Sequence, residues 1–206
     1  MSTTITAGNA TNGLAFAPDN TGAFEFKTGT GAGTTALTLS SGQVATFAGN
    51  VSGVIKSGTA VASTSGTLID FTGIPSTAKR ITVMLNGVST NGTSSPMIQL
   101  GSGSVETTGY ACASATISAT PGVTLYTTGF TIRSGSASAA LLGSFVLTNI
   151  NSNSWVCSGI FGDTGTTTSY TVNGSKAVTS TLDRIRITTV NGTDIFDAGS
   201  INILWE

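Results

Sequence analysis

The side chains best suited to catalysis in this sequence are six carboxylates spread along its C-terminal two thirds. A pair of Asp or Glu residues can hydrolyse a glycosidic bond, one as the acid and the other as the nucleophile or base. The candidates are Asp70, Glu106, Asp163, Asp183, Asp194 and Asp197. Nothing in their spacing brings two together, and Asp163, Asp194 and Asp197 fall in turn-like segments where Asp is favoured anyway. We therefore predict no catalytic residue and keep a glycan-cleaving activity only as an alternative.

Metal, cofactor and nucleophile sites have equally little support. The chain contains no His, which removes Ser-His-Asp and Cys-His nucleophiles and His-ligated metals. Residues 193–197 lack the Asp ladder of a calcium loop, and Cys112 and Cys157 alone cannot complete a four-ligand zinc site. The glycine-rich run at 29–33 lacks the Gly-Lys-Ser/Thr ending of a phosphate-binding loop. The sequence predicts no metal and no cofactor, and both cysteines, in apolar strand patterns, are expected to be buried free thiols.

Aromatic rings are the remaining candidates for ligand contact, because a ring combines a flat apolar face with a polar edge. Tyr170, Tyr110 and Trp155 are the candidates for contact with a receptor, and Tyr170, in the polar stretch 165–170, is expected to be the most exposed. The alternative is that these rings, with Tyr126, pack in the core or between subunits. Arg184 and Arg186 are expected to form ion pairs at the surface or at an interface.

Composition limits the class of protein and its partners. Eight basic and nine acidic residues give a net charge of -1, so nucleic acid is not an expected partner. Ser and Thr supply 64 of the 206 residues, which favours strands over helices. Charged residues make up only 8%, where about 25% is usual, and this suggests that much of the surface is hidden in an assembly. No secretory signal or membrane span is expected, so synthesis in the cytoplasm is predicted.

Period-2 alternation of apolar and polar residues predicts short strands throughout and no substantial helix. In residues 23–27, for example, two Phe fall on one face and two charges on the other. The last strand, 201–205, places Ile201, Ile203 and Trp205 on one face, so we expect the C-terminus to dock into the core. The other predicted strands are 36–39, 44–47, 68–71, 80–85, 97–100, 110–117, 123–126, 130–133, 141–148, 155–161, 169–172, 182–190 and 195–196.

Asn-Gly pairs are strong signals for two-residue hairpins, and the sequence contains five. They lie at Asn12-Gly13, Asn86-Gly87, Asn91-Gly92, Asn173-Gly174 and Asn191-Gly192. The last gives the clearest prediction, because it follows a strand in which Ile185 and Ile187 share one face and Arg184 and Arg186 share the other.

The composition changes near residue 56, because large residues are sparse before it and most of the longer predicted strands follow it. This change predicts an N-terminal segment at 1–56 and a C-terminal domain at 57–206. The first segment contains the short strands 36–39 and 44–47, joined at residues 40–42. Each offers two inward apolar side chains, too few for an isolated pair of strands in water. Copies from other chains are expected to supply the missing partners, whereas 150 residues suffice for a core in the second domain.

Three stretches carry a resemblance to a known group of proteins. Residues 35–51 resemble the short repeat of bacteriophage tail-fibre shafts. Residues 70–92 and 182–194 are similar to the C-terminal domains of phage fibre proteins. Together the three cover about a quarter of the chain.

The resemblance implies an all-β, parallel homotrimer: a short N-terminal shaft or attachment segment, followed by an antiparallel β-sandwich (jelly-roll-like) head. It implies a structural virion protein, a short tail fibre or spike in which the N-terminal segment binds other virion proteins and the head binds a host-surface glycan or protein. The alternatives are a capsid-decorating head fibre or cement protein of the same fold, and a glycan-depolymerising tailspike. The expected location is the virion, on the tail rather than the capsid surface.

Overall fold

The computed structural model describes residues 24–28, 34–40, 45–47 and 54–206, and in these residues every regular element is a strand. Its strands are β1 (Phe24–Thr28), β2 (Thr34–Leu39), β3 (Ala45–Phe47), β4 (Lys56–Ser57), β5 (Val61–Ala62), β6 (Leu68–Thr72), β7 (Arg80–Thr90), β8 (Pro96–Ser102), β9 (Ser104–Val105), β10 (Tyr110–Ile117), β11 (Gly122–Tyr126), β12 (Phe130–Thr131), β13 (Leu141–Asn151), β14 (Ser154–Asp163), β15 (Thr168–Ala177), β16 (Arg184–Thr189) and β17 (Phe196–Trp205). The all-β prediction is confirmed. In the described part of the chain, no helix is long and apolar enough to cross a membrane.

The chain divides into two units, residues 1–53 and 54–206. In the described residues of the first unit, β1, β2 and β3 form a three-stranded antiparallel sheet. The predicted pairing of the strands at 36–39 and 44–47 is confirmed, since Leu37 lies opposite Phe47. Phe26 and Leu39 keep 46% and 37% of their surface exposed. The sheet therefore leaves part of its apolar surface uncovered, as the small number of inward apolar side chains predicts.

The second unit contains two antiparallel sheets of unequal size. The larger has nine strands in the order β11-β10-β15-β14-β13-β7-β17-β4, with β5 also paired to β17. The smaller has five strands in the order β12-β8-β16-β6, with β9 paired to β8. Strands β13, β14 and β15 follow each other as a meander of paired long strands. Most other neighbours in the sheets are distant in sequence.

Both sheets contribute to one hydrophobic core, an arrangement consistent with a β-sandwich. From the larger sheet, Phe145 and Phe161 are fully buried, and from the smaller sheet Leu100 and Ile185 are fully buried. The alternation predicted for β16 is confirmed, because Ile185 and Ile187 point into the core. The C-terminal strand docks as predicted, with Ile201 and Ile203 buried and Trp205 packed against the core.

Strand positions agree well with the predicted alternation, while the four hairpin predictions that fall in the described residues are wrong. Asn86 and Asn173 lie within β7 and β15 instead of at turns. Asn91-Gly92 and Asn191-Gly192 both lie on connections between the two sheets, and so neither closes a hairpin of paired strands. The pair Asn12-Gly13 and the glycine run at 29–33 lie outside the described residues.

Two of these glycines are explained by their surroundings. Gly87 has a φ of 65° and lies where the pairing of β7 with β17 is irregular, so its left-handed backbone forms a bulge and not a hairpin. A Cβ on Gly174 would approach the Ala111 carbonyl oxygen to 2.3 Å and the Phe130 ring to 3.0 Å. Glycine is required there by close packing within the sheet.

The two cysteines are buried free thiols, as predicted. The register places Cys112 opposite Gly174, and Gly174 opposite Cys157, so two strand spacings separate the cysteines. That corresponds to about 10 Å between Cα atoms, beyond the reach of a disulfide. Burial raises the pKa of both thiols, which leaves them protonated and unreactive.

Candidate interaction surface

The most unusual surface of the second unit is the outer face of the larger sheet. We use the term neutral face for the outward side chains of the five adjacent strands β11, β10, β15, β14 and β13. None of these outward positions carries a charged residue, because the charged side chains on these strands, Asp163 and Lys176, point inward and are buried. Exposed aliphatic side chains on this face are Ile117 (57% exposed), Val123 (70%), Leu125 (77%), Leu142 (41%) and Ile160 (70%).

Strand register explains how these side chains come together. One row across the face joins Val123 to Ala115, Thr171 and Ile160. The neighbouring row joins Leu125 to Ala113 and Asn173. Since paired residues on antiparallel strands point to the same side, aliphatic groups from distant parts of the sequence form one continuous surface.

A groove runs along this face beside the edge strand β11. On β10, every second residue from 111 to 115 is Ala, and these small outward side chains leave a trough between the larger side chains of β11 and β15. The groove has a volume of about 580 Å³. Its lining residues are Tyr110, Ala111, Cys112, Ala113, Leu125, Tyr126, Thr127, Asn173, Gly174 and Ser175. The exposed lining is mainly apolar, and its outward aliphatic side chains are Ala111, Ala113 and Leu125, while Tyr110 and Tyr126 point toward the core.

Ion pairs mark the outer side of the smaller sheet. The Arg186 guanidinium donates two hydrogen bonds to the Asp70 carboxylate, at 2.8 and 2.7 Å. Arg184 donates to the carboxylate of Asp183 at 2.8 and 3.2 Å. These contacts raise the pKa of each arginine, and the bond from Arg184 lowers the pKa of Asp183. The predicted ion-pair role of Arg184 and Arg186 at the surface is confirmed.

A nearly buried ion pair lies beneath the edge of the groove. Lys176 Nζ lies 2.5 Å from Glu106 Oε2 and 5.4 Å from the centroid of the Tyr110 ring. Glu106 Oε1 accepts hydrogen bonds from Thr179 N and Oγ1, both at 2.7 Å. Burial raises the pKa of Glu106, but the bonds from Lys176 and Thr179 outweigh burial and hold the pKa below its ordinary value. The cluster fastens the loop before β10 to the end of β15.

Asp163 organises the turn between β14 and β15. Its Oδ1 accepts hydrogen bonds from Ala140 N and Gly165 N, both at 2.9 Å. Its Oδ2 accepts bonds from Thr166 Oγ1 at 2.5 Å and Tyr170 OH at 3.3 Å. Although burial raises the pKa of Asp163, these donors together hold it below the ordinary value. The turn role predicted for Asp163 is confirmed.

The other carboxylates also have separate positions and partners. Asp194 accepts bonds from Ser94 N at 2.8 Å and Asn191 Nδ2 at 2.6 Å, and so ties together two connections between the sheets. Asp197 lies exposed on β17, so the turn position predicted for it is wrong. Within the described residues, no two of the six candidate carboxylates share a hydrogen-bonding or ion-pairing residue. Five of the six, all except Asp197, bind groups that hold turns, loops or strands in place.

The three rings predicted for receptor contact are buried, so the expected exposure of Tyr170 is wrong. Tyr170, Tyr110 and Trp155 are each only 4% exposed and belong to the core. Alternation within β15 points Tyr170 inward in spite of its polar neighbours, and its hydroxyl binds Asp163. The Tyr110 hydroxyl accepts a bond from Leu100 N at 2.7 Å and donates to Glu106 O at 2.9 Å. The alternative prediction, that these rings pack in the core, is confirmed for all three.

The aliphatic residues of the neutral face were not singled out by motif, although the sequence contains a signal for them. Between Glu106 and Asp163, Arg133 is the single charged residue. This interval supplies β10, β11, β13 and β14, four of the five strands of the face. A long interval with a single charged residue and with alternating small and aliphatic residues therefore points to an uncharged sheet face.

No protein-family model, curated protein or solved structure matches this chain.

Proposed function

We propose that this protein is a structural protein of a bacteriophage particle, a short homotrimeric fibre or spike that mediates adhesion to the host surface. The observation that carries the proposal is the neutral face with its exposed aliphatic side chains. A flat, uncharged, partly aliphatic surface of this kind is typical of protein interfaces. The resemblance of residues 35–51, 70–92 and 182–194 to phage fibre proteins gives the proposed assembly its biological setting.

The size of the neutral face suits an interface between copies. Five strands about 4.8 Å apart, with about eight residues of about 3.3 Å each, span about 600 Å². In a trimer this face would contact a different surface of the next copy, because contact of the face with its own equivalent gives a dimer. Buried against a surface of equal area it would remove about 1,200 Å² from water, and a specific interface needs more than about 1,000 Å². Because the face carries no charge, it can approach another copy of the chain without repulsion between like charges and without burying unpaired charges.

In this proposal the two units have different roles. Residues 1–53 attach the protein to other virion proteins and contribute a short shaft, in which three copies would cover the apolar side chains that each small sheet leaves exposed. Residues 54–206 form the head that contacts a host glycan or protein. Five of the six candidate carboxylates bind structural partners, which supports adhesion and assembly as the task of the head.

The mass of the purified full-length chain in solution tests the assembly, and we expect three copies per particle by light scattering or native mass spectrometry. A stable monomer would contradict the proposal. A reconstruction of the virus particle would test the location, since density on the capsid in place of the tail would indicate a decorating protein. Release of oligosaccharides from host polysaccharide by the purified protein would indicate a tailspike enzyme.

A further inference from the structure

We infer that the groove on β10 receives the edge strand β11 of a neighbouring copy. The ridge in this contact consists of Val123 and Leu125, the two outward side chains of β11. The inference names the contacting parts of the assembly, and it rests on the proposed homotrimer.

The ridge is the most exposed aliphatic feature of the larger sheet. Val123 is 70% exposed and Leu125 is 77% exposed, the two side chains lying two residues apart on a strand at the sheet edge. Soluble proteins usually protect an edge strand with Lys, an inward-pointing charge, a bulge or a covering loop. On the inner side of the sheet, Arg133 covers β11, because its Nε donates to Thr124 Oγ1 at 2.8 Å. The outward side chains of β11, Val123 and Leu125, have no such cover, and the register of β11 with β10 is regular. Cover from another polypeptide would remove this liability.

The groove matches such a ridge in chemistry. Its floor is formed by the methyl groups of Ala111 and Ala113, and its lining is predominantly apolar. A polyhydroxylated sugar would need several convergent polar groups for orientation, whereas an aliphatic ridge needs only shape and an apolar floor. The groove therefore favours Val and Leu side chains over a glycan.

Ridge and groove lie side by side, which allows the contact to repeat from copy to copy. Leu125 lies opposite Ala113 on the neighbouring strand, so each copy presents both the ridge and the groove at the same edge of the sheet. When the ridge of each copy contacts the groove of the next, the contacts close after three copies if the rotation between copies is a third of a turn. A reciprocal contact of two copies would give a dimer.

The first experiment compares two lysine substitutions on edge strands of the full-length chain. Leu125→Lys places a charge on the ridge, while Leu68→Lys is the matched control on β6, at the edge of the smaller sheet, where Leu68 is 45% exposed. We expect Leu125→Lys to produce folded monomers, with association weakened at least about 100-fold, and Leu68→Lys to assemble like the wild type. Circular dichroism and the midpoint of thermal unfolding verify that both variants fold. We expect both to fold, because both positions are exposed.

The second experiment introduces Leu125→Cys together with Asn173→Cys. Within one chain these positions are two strand spacings apart, about 10 Å between Cα atoms, so they cannot form an intrachain disulfide. The native thiols are buried, so a disulfide formed under mild oxidation must join two copies. We expect covalent multimers on non-reducing gels from the double variant and less product from either single variant.

The outcomes separate this inference from the proposed function. A trimeric wild type with monomeric Leu125→Lys and cross-linked double cysteine variant supports both. A trimeric Leu125→Lys without cross-linking in the double variant overturns the ridge-and-groove contact and leaves the trimer intact. A dimeric wild type that Leu125→Lys dissociates supports the contact and contradicts the trimer. A monomeric wild type, or a groove that binds purified host glycan while the chain stays monomeric, overturns the inference.

Discussion

The two outer faces of the C-terminal unit cover the same core but differ sharply in charge. The smaller sheet presents the pairs Asp70–Arg186 and Asp183–Arg184 on its outer side. The neutral face of the larger sheet presents alanine, serine, threonine and exposed aliphatic residues such as Ile160. Antiparallel sheets that face water normally alternate apolar residues inward and polar residues outward. The smaller sheet follows that pattern on β6 and β16, whereas the neutral face departs from it.

The charged residues on the strands of the neutral face make the contrast clearer. Lys176 and Asp163 both point to the inner side, where Glu106 and a set of turn donors bind them. Charge on these strands thus contributes to internal structure, and none is left for solubility on the outer side. In the proposed assembly, the charged side of the smaller sheet faces water and the neutral face contacts another polypeptide.

The largest effect is expected when a charge is placed in the middle of the neutral face. Ile160→Lys would bury an unpaired ammonium in the proposed interface and weaken association about 1,000-fold, equivalent to about 4 kcal/mol. Arg186→Leu, which removes charge from the other face, should leave the association constant unchanged. Sedimentation equilibrium of both variants measures the difference. Equal assembly of the Ile160→Lys variant and the wild type would remove the functional distinction between the two faces.

The sequence predicts those features that depend on neighbouring residues, and it does not predict those that depend on pairing between distant strands. Alternation is local, so it located the strands and the inward direction of Ile185 and Ile187 correctly. Tyr170 shows where composition misled the prediction, because its polar neighbours suggested exposure while its position in the alternation of β15 points inward. Asn191-Gly192 failed as a hairpin because β16 and β17 belong to different sheets, a fact set by long-range pairing.

The candidate surface itself required three-dimensional pairing. The alanines of β10 and the aliphatic residues of β11 are close in sequence, but Ile160 joins Val123 only through the intervening strand β15. Sequence alone showed that the chain has little charge and suggested an assembly. It did not show which face lacked charge, since that depends on the order of strands in the sheet.

The next effect concerns the charge buried on the inner side of the neutral face. Lys176→Met would leave the Glu106 carboxylate without its cation, and we expect a loss of about 3 kcal/mol in the free energy of unfolding. Urea unfolding measures this loss, with the exposed Lys79→Met as the control, expected to change stability by less than about 0.5 kcal/mol. Adding Glu106→Gln to Lys176→Met should restore part of the stability, because it removes the uncompensated charge. A loss below about 1 kcal/mol would show that Lys176 contributes no more than a surface cation.

A smaller, pH-dependent effect is expected at Asp163. Its folded pKa, like that of Glu106, lies below the ordinary value, so its carboxylate stabilises the fold above the ordinary pKa of 3.8 and this contribution disappears as the pH falls through the folded pKa. Asp163→Asn should cost about 2 kcal/mol at neutral pH through loss of charge-assisted hydrogen bonds. Its difference from the wild type should shrink in acid, as urea titrations between about pH 7 and about pH 2 would show. A constant difference across that range would contradict an ionised Asp163 in the folded state.

The smallest effect is expected from the Arg186–Asp70 ion pair on the outer side of the smaller sheet. Arg186 and Asp70 form a two-bond contact, but about a third of each side chain stays exposed, 30% and 32%. Water and salt screen such a pair, so Arg186→Gln should lower the free energy of unfolding by only about 0.5 kcal/mol, and less at high salt. Thermal unfolding at low and high ionic strength measures this, with Asp70→Asn as the reciprocal variant and the double variant closing the cycle. A loss as large as that of Lys176→Met would mean that the pair stabilises the smaller sheet itself, and the charged face would then have a structural role beyond contact with water.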